Sequence, residues 1–284
     1  LFPKTIFLKQ KNTNKQNHFC QKGSQKKLGR HFFNMIKEFV KNILFYLKKN
    51  NHNFSPVFII GCGRSGTTIL GKTLSEHPDI KYLNEPRRLW HKVYPEFNIW
   101  EENISNPVLF ADEKNTDSIR TNQLRKLFFR EQVLSNSKVV LEKLPINNFR
   151  LKFLKKSFPK AKFIYLTRNG LEVSKSIERR IQKQNWFTGE KYELLKEYEQ
   201  KTSSEYNPKT DLEKGMWEWK LSIMESDNFF KNLKKSQYIH LSYQDFIENP
   251  EKITQDIFNF LNLSSSKGLV KNISGTIQRK NPKQ

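Results

Sequence analysis

The sequence predicts an α/β fold in which helices cover both faces of a central parallel sheet, giving three layers. Short runs of β-branched and aromatic residues alternate with longer amphipathic stretches, as in chains whose strands are joined by helices. The runs are apolar throughout, which is typical of strands buried on both faces of a parallel sheet. They occupy 57–60, 139–141, 163–166 and 238–241, and a further strand ends near Glu85.

Helical periodicity fills the segments between these strands. The predicted helices span about 67–76, 119–134, 149–157, 170–183, 190–201, 211–234 and 250–261. The chain of 284 residues is long enough for one large core, and we predict a single domain over 55–284.

The first 50 residues differ from the rest in composition. They carry twelve Lys and Arg residues and one acidic residue, Glu38, so about half of the formal charge of +23 lies there. We predict a basic tail over 1–50. Apolar residues recur at helical spacing within 31–49, which predicts either a helix packed on the domain or an amphipathic helix in peripheral contact with a membrane.

Cysteine and hydropathy patterns bear on localisation. The two cysteines, Cys20 and Cys62, form no disulfide framework, which favours a cytoplasmic protein, with membrane association possible through 31–49. No apolar run of about 18 residues predicts a transmembrane helix. The chain starts with Leu1 rather than Met, which leaves open that a preceding segment is missing.

A glycine-rich turn follows the first strand and opens a helix. It reads Gly61-Cys62-Gly63-Arg64-Ser65-Gly66-Thr67-Thr68. Glycines permit tight turns whose backbone N–H groups point into one concavity, and a helix N-terminus adds positive potential. The spacing of Gly61 and Gly66 matches a P-loop, but Thr67 replaces the lysine that a kinase needs. We therefore predict a P-loop-type fold that binds an anionic nucleotide through Gly63, Arg64, Ser65, Gly66, Thr67 and Thr68.

The segment from Pro56 to Pro86 resembles the 5′-phosphosulfate-binding segment of sulfotransferases that use 3′-phosphoadenosine 5′-phosphosulfate (PAPS). It is most similar to the subset that contains the tyrosylprotein and carbohydrate sulfotransferases. With later segments, the resemblance covers about 55–262. It implies that PAPS is the co-substrate, that no metal is needed, and that Arg64 and its neighbours hold the 5′-phosphosulfate.

A second nucleotide element follows the strand 163–166. Arg168 stands at the strand end and Ser176 in the helix after it, so both can reach one phosphate, although a strand-end Arg often makes only a surface salt bridge. The resemblance implies that both bind the 3′-phosphate. It also implies that Tyr243 borders the nucleotide, while a core tyrosine is an equal alternative.

Two further strand ends carry candidate catalytic residues. Glu85 and Lys143 end the second and third strands, at the sheet edge where open α/β proteins bind ligands. The resemblance implies that Glu85 is the general base and that Lys143 stabilises the leaving phosphate, together with Arg64. A salt-bridged strand-end Glu85 is the alternative. The family pattern makes His77 structural and Ser274 a further binding residue.

Two other functions compete with sulfuryl transfer. A P-loop kinase or phosphotransferase shares the fold but needs the missing lysine and a carboxylate for Mg²⁺. A nucleic-acid-binding protein fits the charge, but no recognised motif or aromatic platform supports it, so no nucleic-acid partner is expected. The expected acceptor is a hydroxyl group on a protein tyrosine, glycan, lipid or small molecule.

Overall fold

The computed structural model describes Ile43 and the ranges 54–101, 104–184, 186–187, 190–201 and 207–280. Contacts between Cα atoms divide the chain into Leu1–Asn50 and Asn51–Gln284. The predicted helix at 31–49 falls outside the described residues except for Ile43, so it stays a prediction, as do the proposed domain bounds. Within the described ranges, no helix combines the length and the apolar character that crossing a bilayer requires.

The centre of the second unit is a five-stranded sheet whose paired strands are all parallel. Its strands are β1 (Val57–Ile60), β2 (Ile80–Asn84), β3 (Val139–Lys143), β4 (Lys162–Thr167) and β5 (Tyr238–Ser242), in the spatial order β2-β3-β1-β4-β5. The strand β1 is central, so the loop that follows it lies at the middle of one sheet edge. The predicted parallel α/β sheet is confirmed.

Helices connect the strands and cover the sheet. They are α1 (Thr67–Leu74), α2 (Arg87–His91), α3 (Ser118–Ser135), α4 (Leu151–Ser157), α5 (Gly170–Lys183), α6 (Lys191–Lys201), α7 (Asp211–Lys231), α8 (Tyr243–Glu248), α9 (Pro250–Leu261) and α10 (Lys267–Lys280). Short 3-10 turns lie at Pro95–Phe97, Glu113–Asn115, Pro145–Phe149 and Lys235–Gln237. The connections are therefore those of a doubly covered parallel sheet.

The core lies on both faces of the sheet. In β1, Phe58 and Ile60 point into one cluster of buried residues, and Val57 and Ile59 point into another on the opposite face. This alternation follows from the two-residue period of a strand. It explains why the strand is apolar throughout.

The C-terminal helix α10 was not among the predicted helices. Its residues Val270, Ile273 and Ile277 are buried in the second cluster, at the spacing of one helical face. Ser266 begins the helix by accepting a hydrogen bond at Oγ from the backbone N–H of Leu269, 3.2 Å away. Apolar periodicity therefore marks this segment as a packed helix.

Candidate functional site

The loop after β1 turns sharply before α1 begins. The backbone N–H of Ser65 donates to the carbonyl of Cys62 at 3.1 Å. Arg64 and Gly66 both have left-handed backbone conformations, with φ of 74° and 94°. A Cβ on Gly66 would lie 2.3 Å from the Tyr243 ring, so only glycine fits there. Arg64 carries strain that non-glycine residues show mainly in turns and at functional sites.

Polar groups of this loop remain available to a ligand. Ser65 is 1% exposed, and its Oγ has no hydrogen-bond partner among the described residues. Within the same part of the chain, Gly66 precedes the first residue of α1 and provides no side-chain cap, which leaves the first N–H groups of the helix to other acceptors. A buried hydroxyl beside an uncapped helix N-terminus fits a phosphate or sulfate oxygen.

The structure brings the second nucleotide element against this loop. The Nε of Arg64 donates to Ser176 Oγ at 3.1 Å, and Arg168 Nη1 donates to the carbonyl of Arg64 at 3.5 Å. Arg168 also lies 4.2 Å over the Tyr243 ring and pairs with Glu172 at 2.8 Å. The groups border a cavity of about 350 Å³ lined by Arg64, Gly66, Thr67, Thr68, Ile69, Arg168, Ser176, Arg179 and Tyr243.

Two further arginines approach the same site from α5. Arg179 lines the 350 Å³ cavity, and Arg180 lines the next one. The pKa of Arg64 is lowered, first by burial and then by the charges of Arg180, Arg179 and Arg168. Such repulsion indicates a site that is completed by an anion. The sequence analysis missed both residues, although they stand three and four positions after Ser176 on the same helix.

Glu85 and Lys143 meet at the ends of β2 and β3. The parallel register pairs Asn84 with Lys143, and the backbone N–H of Glu85 donates to the Lys143 carbonyl at 2.8 Å. The side chains then form an ion pair, with Lys143 Nζ 2.6 Å from Glu85 Oε1. Glu85 has a positive φ of 49°, which indicates a residue held in a specific conformation at its site.

The ion pair joins a buried cation to a partly exposed anion. Lys143 is 1% exposed and the Glu85 side chain is 32% exposed. Burial lowers the pKa of Lys143, and contact with Glu85 offsets this only in part. Burial acts to raise the pKa of Glu85, but Lys143 and Arg87, whose Nη2 is 3.2 Å from Oε2, together lower it. Glu85 is therefore a carboxylate at neutral pH.

A second cavity links this ion pair to the loop. It has a volume of about 210 Å³ and is lined by Gly63, Arg64, Thr67, Thr68, Glu85, Arg87, Lys143, Pro145, Arg180, Gln184 and Trp186. A third cavity, of about 240 Å³, adjoins it and is lined by Glu85, Arg87, Trp100, Pro145, Ile146, Phe149, Trp186, Lys191 and Glu218. A carboxylate and a lysine thus face the same space as the glycine-rich loop after β1.

The remaining candidates lie in different places. Tyr243 is largely buried and lines the 350 Å³ cavity. Ser274 is buried within α10, where its Oγ donates to the Lys271 carbonyl at 3.1 Å, and it lines none of the three cavities. His77 is also buried away from these cavities. Its Nε2 lies 3.1 Å from the Ser264 carbonyl, and its Nδ1 accepts from the backbone N–H of Asp79.

Sequence reasoning also missed Trp186, Arg87 and the buried pair Lys191–Glu218. Arg87, Trp186 and Lys191 come from the connections after β2 and α5 and from the start of α6, and Glu218 comes from α7. Among the described residues, no group of three or more His, Cys, Asp or Glu side chains is arranged to hold a metal ion.

Comparisons with known proteins point to one family. A model of the sulfotransferase family matches residues 56–267. Protein-tyrosine sulfotransferase 1 of Rattus norvegicus is 26% identical over 133 residues, covering 45% of this chain and 35% of that protein. The Danio rerio protein of the same name is 27% identical over 135 residues, covering 46% and 38%. The matched region spans between a third and two fifths of these relatives.

Solved structures share the fold. Sulfotransferase STF9 from Mycobacterium avium superimposes with a TM-score of 0.54 at 12% identity, covering 82% of this chain and 70% of that one. The sulfotransferase domain of the Synechococcus PCC 7002 olefin synthase gives 0.52 at 18% identity and covers 78% of each chain. At these identities the likeness concerns the fold alone.

Proposed function

The chain belongs to the sulfotransferase family, and from this premise we propose that it transfers a sulfuryl group from PAPS to a hydroxyl acceptor. One observation carries the proposal: Glu85 and Lys143 form a 2.6 Å ion pair in a cavity that Arg64, Thr67 and Thr68 also line. A base, a cation and an anion-binding loop thus face one space, which is what an in-line displacement on a sulfonate requires.

The donor would bind through the loop and the arginine cluster. The loop residues Gly63, Arg64, Ser65, Gly66, Thr67 and Thr68 would hold the 5′-phosphosulfate, and the orphaned Ser65 Oγ supports this assignment. Arg168 and Ser176 would hold the 3′-phosphate, with Tyr243 beside the nucleotide. Four neighbouring arginines, of which Arg168 is paired with Glu172, give an excess of positive charge that fits a ligand with two anionic ends.

Glu85 would accept the proton of the acceptor hydroxyl as its oxygen bonds to sulfur. Its lowered pKa keeps it ionised, and its exposed fraction faces the cavity that leads to Trp100 and Phe149. An ionised base with one face open to the acceptor is what proton removal needs.

Lys143 would act on the opposite side of the sulfur. When the bond between sulfur and the bridging oxygen breaks, that oxygen keeps the electron pair, and the lysine ammonium can donate a hydrogen bond to it. One of the three N–H donors is engaged by Glu85, which leaves two for the leaving phosphate. Arg64 would add charge from the loop.

The acceptor would be a hydroxyl on a protein tyrosine, glycan, lipid or small molecule. The curated relatives are named protein-tyrosine sulfotransferases, so a tyrosine-containing peptide is the first acceptor to test. An assay with ³⁵S-labelled PAPS and fractionated cell extract would identify other acceptors.

Calorimetric titration tests donor binding. The nucleotide product, 3′-phosphoadenosine 5′-phosphate (PAP), and AMP would each be titrated with EDTA present, and we expect PAP to bind more tightly. Arg168→Ala should remove a charged hydrogen bond of about 1.5–3 kcal/mol from PAP binding and leave AMP binding almost unchanged. Lys152→Ala, which lies outside the donor cavity, is the control. Equal affinity of the unaltered protein for PAP and AMP would contradict the 3′-phosphate site.

A further inference from the structure

Trp186 belongs to two adjoining cavities at once. The 210 Å³ cavity contains Arg64 and Lys143, and the 240 Å³ cavity contains Trp100 and Phe149, while Trp186 lines both. The indole therefore stands between the proposed donor end and the space open to an acceptor.

The indole packs against the backbone of the loop Gly63–Thr68, which is proposed to hold the donor and is called the donor loop below. An ideal Cβ built on Gly63 would lie 2.8 Å from Cζ2 of Trp186, so the ring occupies the space that any larger residue at 63 would fill. The contact places the edge of an apolar ring against the loop proposed to hold the phosphosulfate. The ring therefore covers this face of Gly63.

A buried ion pair fixes the orientation of the ring. Trp186 Nε1 donates to Glu218 Oε2 at 2.6 Å, and Lys191 Nζ donates to Glu218 Oε1 at 2.7 Å. Glu218 and Lys191 are both buried, and Lys191 Nζ also lies 4.4 Å from the centre of the Trp186 ring. Because Lys191 holds the Glu218 carboxylate in place, the hydrogen bond from Nε1 to that carboxylate keeps the indole in one orientation.

We propose that Trp186 is a positioning wall of the acceptor site, which directs the acceptor hydroxyl to Glu85 and excludes water from the sulfonate. The inference rests on the proposed sulfuryl transfer. Without this wall, water would compete as the acceptor: the bond between sulfur and the phosphate oxygen breaks, a bond from sulfur to the water oxygen forms, and a water proton passes to Glu85. The products would be PAP and sulfate.

Hydrolysis of PAPS in the absence of an acceptor tests the wall. We expect Trp186→Ala to release ³⁵S-sulfate severalfold faster than the unaltered protein at saturating PAPS, while PAP affinity, measured by calorimetry, stays within a fewfold. Trp186→Phe keeps a ring but loses the bond to Glu218, so its rate should fall between the two. Phe187→Ala removes the neighbouring ring, which lines neither cavity, and is the matched control.

A second variant tests the same wall without removing the indole. Gly63→Ala must displace the Trp186 ring, so it should also raise hydrolysis, and its effect should shrink when Trp186 is already Ala. If both substitutions act through the Trp186 ring, their effects on hydrolysis are not additive, whereas a general loosening of the loop would give additive effects. The comparison can be made even where Trp186→Ala binds PAP poorly.

Unchanged hydrolysis in both Trp186→Ala and Gly63→Ala, with PAP still bound, would overturn the inference. Equal acceleration by Phe187→Ala would do the same, because the effect would then be structural. Failure of the proposed function looks different, since the unaltered protein would bind neither PAP nor PAPS.

Discussion

Replacing Glu85 with Gln removes the proposed base while nearly preserving its volume. The amide oxygen can still accept the hydrogen bond from Lys143 Nζ, now 2.6 Å from Glu85 Oε1, but it takes up no proton near neutral pH. General-base catalysis contributes about 10²–10⁴-fold, so kcat should fall by that factor.

The same substitution should have little effect on folding and donor binding. Lys143 loses an ionic partner but keeps a hydrogen-bond acceptor, so the free energy of unfolding should fall by about 1 kcal/mol, the difference between a charged and a neutral hydrogen bond. The affinity for PAP should stay the same or increase, because an anion beside the bound phosphate has been removed. Calorimetry and urea unfolding measure the two effects separately.

Turnover should be measured as PAP formation with two phenols of different acidity, 4-nitrophenol and 4-methylphenol, beside the native acceptor. The more acidic phenol needs less proton removal, so it should partly restore the activity of Glu85→Gln. It should do little for Lys143→Ala, because the group proposed to stabilise the leaving oxygen is then missing, and we expect this variant also to bind the donor less tightly. Near-normal turnover of Glu85→Gln on the native acceptor, with chemistry rate-limiting in single-turnover experiments, would refute the assignment of the base.

Three further predictions concern ionisation and the N-terminal tail. Because burial lowers the pKa of Lys143, PAP affinity should begin to decline with rising pH below the ordinary lysine pKa of about 10.4, a decline that titrations should not find in Lys143→Ala. Burial raises the pKa of Glu142 to about 8, so the folded state keeps a proton that the unfolded chain loses above about 4.3, and stability should fall as pH rises between these values. Glu142→Gln should flatten that slope in urea unfolding at pH 5–8. A chain that starts at Asn53 should bind PAP as the full chain does; if it folds without binding, residues 1–50 contribute to the site.

The positions of several site residues could be predicted because the carboxyl ends of parallel strands lie at the same edge of a sheet. The runs 57–60 and 139–141 are apolar throughout, so their ends, and with them the loop and Lys143, could be located without a structure. Glu85 follows a less regular strand, but its position after β2 also places it at that edge. Because the parallel register places Asn84 beside Lys143, the next residue, Glu85, can contact the Lys143 side chain.

Other parts of the site depend on tertiary packing that no local pattern specifies. Trp186 lies outside any regular element, and its orientation is set by Glu218, thirty-two positions away. Arg180 was accessible from helical spacing, but the choice of which side chains on α5 face the cavity requires the position of α7. Ser274, which the family pattern gives as a binding residue, lies buried within the packed helix α10, and its role stays a prediction.

The contact between Gly66 and Tyr243 bears on how the protein is synthesised. The donor loop is translated early, yet its shape depends on a ring that follows the last strand of the sheet, and β1 itself pairs only with the later strands β3 and β4. A nascent chain therefore contains the residues of the loop long before it contains the later segments that the folded loop contacts. Competence to bind a nucleotide should arise late and abruptly during translation, and chains truncated before β5 should expose an apolar strand that recruits chaperones.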